Sequence, residues 1–234
     1  ERHSFPTRRS SDLPFILSFK LAGITTLILF LISLPIAWYL SQTKSKFKPI
    51  LEAVTALPIV LPPSVLGFYI LWGLSFNSPI GAFFEEHFGI KLIFNFTGLI
   101  IASCFYSLPF MVQPLQGGLE SINKNMLEAS YISGKSKLET LFRVALPNIK
   151  PALLTAIIIT FSHTVGEFGV VLMIGGSIPG ETKVASIAIY EFTETMDYTN
   201  AHIYSAIMIT LSFLTLLGVY IFNGKQKNML LGKK

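Results

Sequence analysis

Apolar residues in this chain run in long unbroken blocks, separated by short polar connections. Blocks near 15–40, 54–76, 97–117, 148–173 and 203–222 are each long enough to cross a hydrocarbon core, which takes roughly 20 residues of helix. They lack the amphipathic rhythm of a surface helix, so the pattern predicts five membrane-spanning helices and an all-α, polytopic membrane bundle. The second block contains Pro58, Pro62 and Pro63 and is expected to be kinked or broken near its start.

The polar connections fix an orientation. Lys44, Lys46 and Lys48 precede the second block. Lys124, Lys135, Lys137 and Arg143 lie before the fourth with Lys150 at its edge, and Lys225, Lys227, Lys233 and Lys234 follow the last. The alternate connections, 77–96 and 174–202, hold only Lys91 and Lys183, beside Glu85, Glu86, Glu181, Glu191, Glu194 and Asp197. Cytoplasmic loops carry the excess of Lys and Arg. The expectation is a multi-pass protein of a bacterial or archaeal cytoplasmic membrane, N-terminus outside and C-terminus cytoplasmic. Its transmembrane domain is expected over 13–224, with a basic tail at 225–234.

Composition agrees: 51% of residues are hydrophobic and 13% charged, about half the charge of a soluble domain. The net charge of +5 is scattered among loops rather than gathered into a stripe interleaved with aromatics, which excludes nucleic acid as a partner. Cys104 lies inside an apolar block as a small buried hydrophobe. Residues 1–12, ERHSFPTRRSSD, contain Arg2, Arg8 and Arg9. They have no signal-peptide cleavage pattern, resemble a translated sequencing adapter, and place arginines on the wrong face. They are expected not to belong to the natural protein.

The longest hydrophilic segment is 118–147. Leu119, Ile122, Met126, Ala129 and Ser133 recur at helical spacing, predicting one amphipathic helix. A second, from about Lys137 to Ala145, carries Leu138, Leu141, Phe142 and Ala145 on its apolar side. Such faces need cover, either the inner ends of the spans or a partner's groove. Ala129 to Ser136 also satisfies a loose phosphate-loop pattern. It follows a helix rather than a strand and puts Tyr131 and Ile132 where small residues are needed, so nucleotide binding is not expected here.

Within this segment Glu128-Ala129-Ser130, then Gly134, then Leu146-Pro147 resembles the EAA loop of ABC-importer permeases, with Ser130 in place of the second Ala. The resemblance implies a coupling helix seated on an ATPase subunit. Further stretches extend it. Leu57-Pro58-Ile59-Val60-Leu61-Pro62-Pro63-Ser64-Val65 is similar to the opening of the second span in molybdate permeases. Gly166-Glu167-Phe168-Gly169, Ile178-Pro179-Gly180-Glu181-Thr182 and Ala188-Ile189-Tyr190 resemble a series shared by molybdate and sulfate permeases.

The resemblance implies a non-catalytic permease working with a second copy of itself, two ABC ATPase subunits that use ATP and Mg, and an external oxyanion-binding protein. No cofactor or metal is expected on this chain. Molybdate or tungstate is the implied cargo. Sulfate or thiosulfate is the alternative, and an ion-driven secondary transporter would instead show inverted repeats and paired intramembrane charges. Glu167 is expected to pair, with His163 one turn earlier as candidate partner or through a hydrogen bond that fixes a kinked helix. A carboxylate repels a dianion, so the oxyanion contacts are expected among donors such as Thr160, Ser162 and Thr164.

Overall fold

The computed structural model describes residues 12–230, and the N-terminal segment discussed above lies almost wholly outside them. Every regular element among the described residues is helical. The principal helices are α1 (Leu13–Gln42), α2 (Lys48–Val60), α3 (Pro63–Leu74), α4 (Pro79–Phe88), α5 (Phe96–Glu120) and α6 (Lys124–Ile132). After the short turns of 137–148 come α7 (Lys150–Gly166), α8 (Gly169–Gly175), α9 (Ala185–Glu194) and α10 (Tyr198–Leu230).

Among the described residues three single helices are long and apolar enough to cross a membrane: Leu13–Gln42, Phe96–Glu120 and Tyr198–Gly218. The total rises to five if the bent pairs Lys48–Val60 with Pro63–Leu74 and Lys137–Asn148 with Lys150–Gly166 each make one span. The other two expected spans are not continuous helices. Between α2 and α3 the chain breaks at Leu61-Pro62, as the prolines predict, because Pro62 and Pro63 bring no backbone N–H. The expected span 148–173 is interrupted towards its C-terminal end. Its helix stops at Gly166, Glu167 and Phe168 are irregular, and a new helix starts at Gly169. The Glu167 carboxylate accepts from the Val170 N–H at 3.2 Å, serving the start of the new helix as a cap does.

The contacts divide the chain into two compact units. The first comprises residues up to Thr26, Leu61–Tyr106 and Phe161–Leu211. Its core gathers Leu17, Leu21, Ile70, Leu99, Tyr106, Val171, Ile174 and Ile187. Helices α3 and α8 pack closely in this unit, with Gly67 facing Met173: a Cβ there would meet Met173 Sδ at 2.8 Å and push that flexible side chain aside. Ser18 Oγ donates to the Pro14 carbonyl and accepts from the Ala185 N–H, both at 2.9 Å.

The second unit comprises Leu27–Val60, Ser107–Thr160 and the chain from Ser212. Leu29, Leu40, Met111, Leu115, Leu119, Leu127, Leu141 and Ala156 are buried in it. Its helix α2 is exceptional, since none of its 13 residues is buried.

Candidate coupling loop and intramembrane polar residues

In the second unit the chain leaves α5 through a turn at Ser121–Ile122, and Asn123 caps α6 by accepting from the Asn125 N–H at 3.0 Å. This break resets the helical register. Leu119 and Ile122 are buried as expected, but in α6 the inward residues are Leu127 and Ser130. Met126, Ala129 and Ser133 face outward, a correction to the face expected from continuous periodicity. In the second helical piece Leu141 and Ala145 are buried, whereas Leu138 and Phe142 are exposed. Ile132 is 87% exposed and Leu138 68%. The loop therefore turns one edge inward and leaves an apolar edge uncovered.

Gly134 ends α6. Its φ is +80°, a left-handed conformation that costs most residues roughly 1–2 kcal/mol. Its N–H donates to the Tyr131 carbonyl at 2.9 Å and the Lys135 N–H to the Ser130 carbonyl at 3.2 Å, the paired bonds of a Schellman turn. Two residues later Ser136 opens the next helix with a capping box. Its hydroxyl accepts from the Glu139 N–H at 3.2 Å, and Glu139 Oε2 accepts from the Ser136 N–H at 3.1 Å. Helix caps thus account for the Gly and Ser of the phosphate-loop pattern.

The Ser130 and Thr140 hydroxyls, both buried, lie 2.9 Å apart and tie the two pieces together. A π-helical turn over Leu141–Ala145 leads into Leu146-Pro147, and Pro147 again lacks a donor. The piece Lys137–Asn148 meets α7 at 83°.

Glu128 lines a cleft of about 540 Å³ together with Lys44, Lys48, Glu120, Lys124 and Tyr131. Lys48 Nζ lies 2.8 Å from Glu120 Oε1 and 3.6 Å from Glu52 Oε1, and Gln116 Nε2 donates to both carboxylates. This cluster joins α2 to α5 and was not anticipated. Its one sequence signal is a pair of i,i+4 spacings, Lys48/Glu52 and Gln116/Glu120.

Of the other candidates, Thr160 is buried in the second unit. In the first, Thr164 is buried, the Ser162 hydroxyl is enclosed, and the His163 ring packs beside Tyr106 at 5.6 Å between centroids. The Glu167 carbonyl accepts from Ser186 Oγ at 2.7 Å, and Phe168 packs on Tyr190 at 4.9 Å. Thr182 Oγ1 donates to the Gly175 carbonyl at 2.7 Å and accepts from the Ile178 N–H at 3.0 Å. The motif stretches around Gly166–Gly169 and Tyr190 are thereby joined in space, and Ile178–Thr182 is fixed to the end of α8. Lys183 and Ser177 both bond the Glu191 carboxylate. Burial pulls that carboxyl upward, but the ammonium and hydroxyl outweigh it and hold it below the ordinary range.

Among known proteins, the molybdenum transport system permease protein ModB of Azotobacter vinelandii is 45% identical over 205 residues, covering 87% of this chain and 90% of that protein. A probable sulfate transport system permease protein, cysT of Chlorella vulgaris, is 32% identical over 89% of this chain and 78% of its own length. The fold is shared with a bacterial ABC transporter that imports alginate, with a TM-score of 0.75 at 15% identity, over 91% of this chain and 78% of that one. The MetNI methionine ABC transporter gives 0.72 at 17% identity, over 95% and 98%. Residues 23–228 match the model of one family across both units. The chain belongs to the family of binding-protein-dependent transport system inner membrane components.

Proposed function

We propose that this chain is the membrane-spanning permease subunit of an ATP-driven importer that carries molybdate, or tungstate, across the cytoplasmic membrane. The observation that carries the reading is 45% identity to a molybdenum permease over 90% of that protein, against 32% to a sulfate permease. The chain works as a pair of copies, with two ATPase subunits on the cytoplasmic face and an external oxyanion-binding protein opposite. Helix α2, with no residue buried within its own chain, is a natural surface for the second copy.

Loop 118–147 is the coupling element. Its uncovered apolar edge, with Tyr131, Ile132, Leu138 and Phe142, seats in a groove of the ATPase, and Glu128, Gly134 and Leu146-Pro147 shape that contact. ATP and Mg are used by the ATPase alone. Closure of the ATPase pair pulls on this loop and shifts the bundle between inward- and outward-facing states. Thr160, Ser162, His163, Thr164 and Glu167 are the polar residues of the route. The hydroxyls and imidazole supply donors to the passing dianion, and Glu167 secures the broken helix rather than touching the cargo.

Vesicles holding the permease, its ATPase and its binding protein test this reading through competition uptake with labelled oxyanions. Molybdate and tungstate should enter and sulfate should compete weakly. Preferential sulfate uptake would assign the chain to the sulfate branch, the reading favoured by the relatives at 32% and 33% identity.

A further inference from the structure

The connection between α3 and α5, all within the first unit, is more elaborate than a linker requires. Ser78 Oγ caps α4 by accepting from the Gly81 N–H at 2.9 Å, and Gly89, at φ +65°, closes its far end on the Glu85 carbonyl. Phe84 packs on the core, whereas Phe76, Ile80, Phe83 and Phe88 are exposed. The return segment is equally fixed. The Phe94 N–H donates to the Ile174 carbonyl at 2.8 Å. Asn95 donates to the Lys91 carbonyl and accepts from the Gly98 N–H.

These two arms enclose an open groove of about 400 Å³ lined by Leu74, Phe76, Glu85, Lys91, Ile93 and Phe94. The volume falls in the roughly 300–1,000 Å³ range of small-molecule sites. The lining is apolar apart from two opposite charges and Asn95, whose amide is already engaged with the Lys91 carbonyl and the Gly98 N–H. Neither Glu85 nor Lys91 closes an ion pair among the described residues. The groove lies beside the last residue of α3 and the residues just before α5. Phe96 opens a helix long and apolar enough to cross a membrane, and the end of such a helix meets the headgroup region.

We propose that this groove is a specific site for one zwitterionic glycerophospholipid. An acyl chain lies along Leu74, Phe76 and Ile93, the phosphate meets Lys91, and the primary ammonium of the headgroup meets Glu85. The charge pattern selects this occupant. An anionic headgroup without an ammonium would satisfy Lys91 but face the Glu85 carboxylate. A trimethylated ammonium could not donate hydrogen bonds to Glu85. The exposed aromatic edge of α4 then rests in the same interfacial layer, where amphipathic helices gain from burying apolar area.

The test is native mass spectrometry of the intact permease–ATPase complex, released from micelles doped with phosphatidylethanolamine, phosphatidylglycerol or phosphatidylcholine. Wild type should retain one phosphatidylethanolamine per permease chain in preference to the other two. Lys91→Ala should lower retention of all three by about tenfold, the factor expected for losing a hydrogen bond to a charged group. Glu85→Gln should lower phosphatidylethanolamine retention by a similar factor and leave or raise that of phosphatidylglycerol. Basal ATP hydrolysis should stay unchanged in both variants, which checks that they fold. Equal retention of all three lipids by wild type and variants would overturn the proposal. So would unaltered lipid retention combined with weakened capture of the external binding protein, which would give this surface to the soluble partner.

Discussion

The hydroxyls of Ser130 and Thr140 sit 2.9 Å apart, both shielded from solvent, and join the two halves of the proposed coupling loop across ten residues of sequence. Ser130 occupies the place where the family motif has a second alanine. The departure adds a hydrogen bond that alanine could not make, with Thr140 as its matching partner.

Ser130→Ala should therefore destabilise the loop rather than pass unnoticed. It leaves a buried Thr140 hydroxyl without this partner, at a cost of about 1–3 kcal/mol. Adding Thr140→Val should recover part of that loss, because both polar groups are then gone. Thermal inactivation of coupled ATP hydrolysis, run on wild type, both single variants and the double, closes the cycle. Strict additivity would mean that the two hydroxyls do not act as a pair.

At Gly134 the demand is conformational. A Cβ there meets nothing within 4 Å, yet φ is +80°. Gly134→Asn should be nearly tolerated, since Asn enters the left-handed region readily, whereas Gly134→Leu should unravel the end of α6. Substrate-stimulated ATP hydrolysis in vesicles should fall steeply for Leu and only modestly for Asn, with insertion of both retained. Equal loss for the two would instead point to close contact with the ATPase at this site.

Glu167 gives a test of charge against hydrogen bonding. Its Oε1 accepts from the Val170 N–H, a task that a glutamine carbonyl performs equally well. Glu167→Gln should keep uptake within a few-fold of wild type. Glu167→Leu removes the acceptor and should cost about 1 kcal/mol, as loss of a helix cap does. Uptake abolished by the Gln variant would show that the ionised carboxylate itself is needed.

Acid should act on the 177–191 contact in a defined direction. Folding lowers the titration of Glu191, so its contribution to stability is present above the ordinary carboxylate value. It is lost only as pH falls through the lower folded value. Protection of loop 176–184 from protease should hold from neutrality down to about pH 5 and weaken below that. In Lys183→Met the opposing effect of burial on Glu191 becomes dominant, so protection should begin to fail at a higher pH than in wild type.

Much of this was legible in the sequence, for reasons that differ by residue. Pro62 and Pro63 announce a helix break because missing donors act locally. Gly134 announces a turn because few other residues reach its φ. At Glu167 a kink was expected, but its exact place was not, since the carboxylate's role as a cap depends on where the next helix begins. Met126, Ala129 and Ser133 do not share a face with Leu119 and Ile122, because the turn at Ser121–Ile122 resets the register and periodicity assumes an unbroken helix. The Lys48–Glu120 pair spans 72 residues, and no local pattern could announce it.

Helix α2 contributes no side chain to the interior of its own chain. Within the chain it is tied to α5 by Lys48 and Glu52 at its first turns, and the free energy of its remaining apolar surface is linked to whatever covers that surface. Substitutions along Ile50, Val54 and Leu57 should leave the melting of the isolated subunit almost unmoved. They should shift how steeply that melting depends on dilution or on detergent, so this helix works as a sensor of assembly rather than a pillar of the fold.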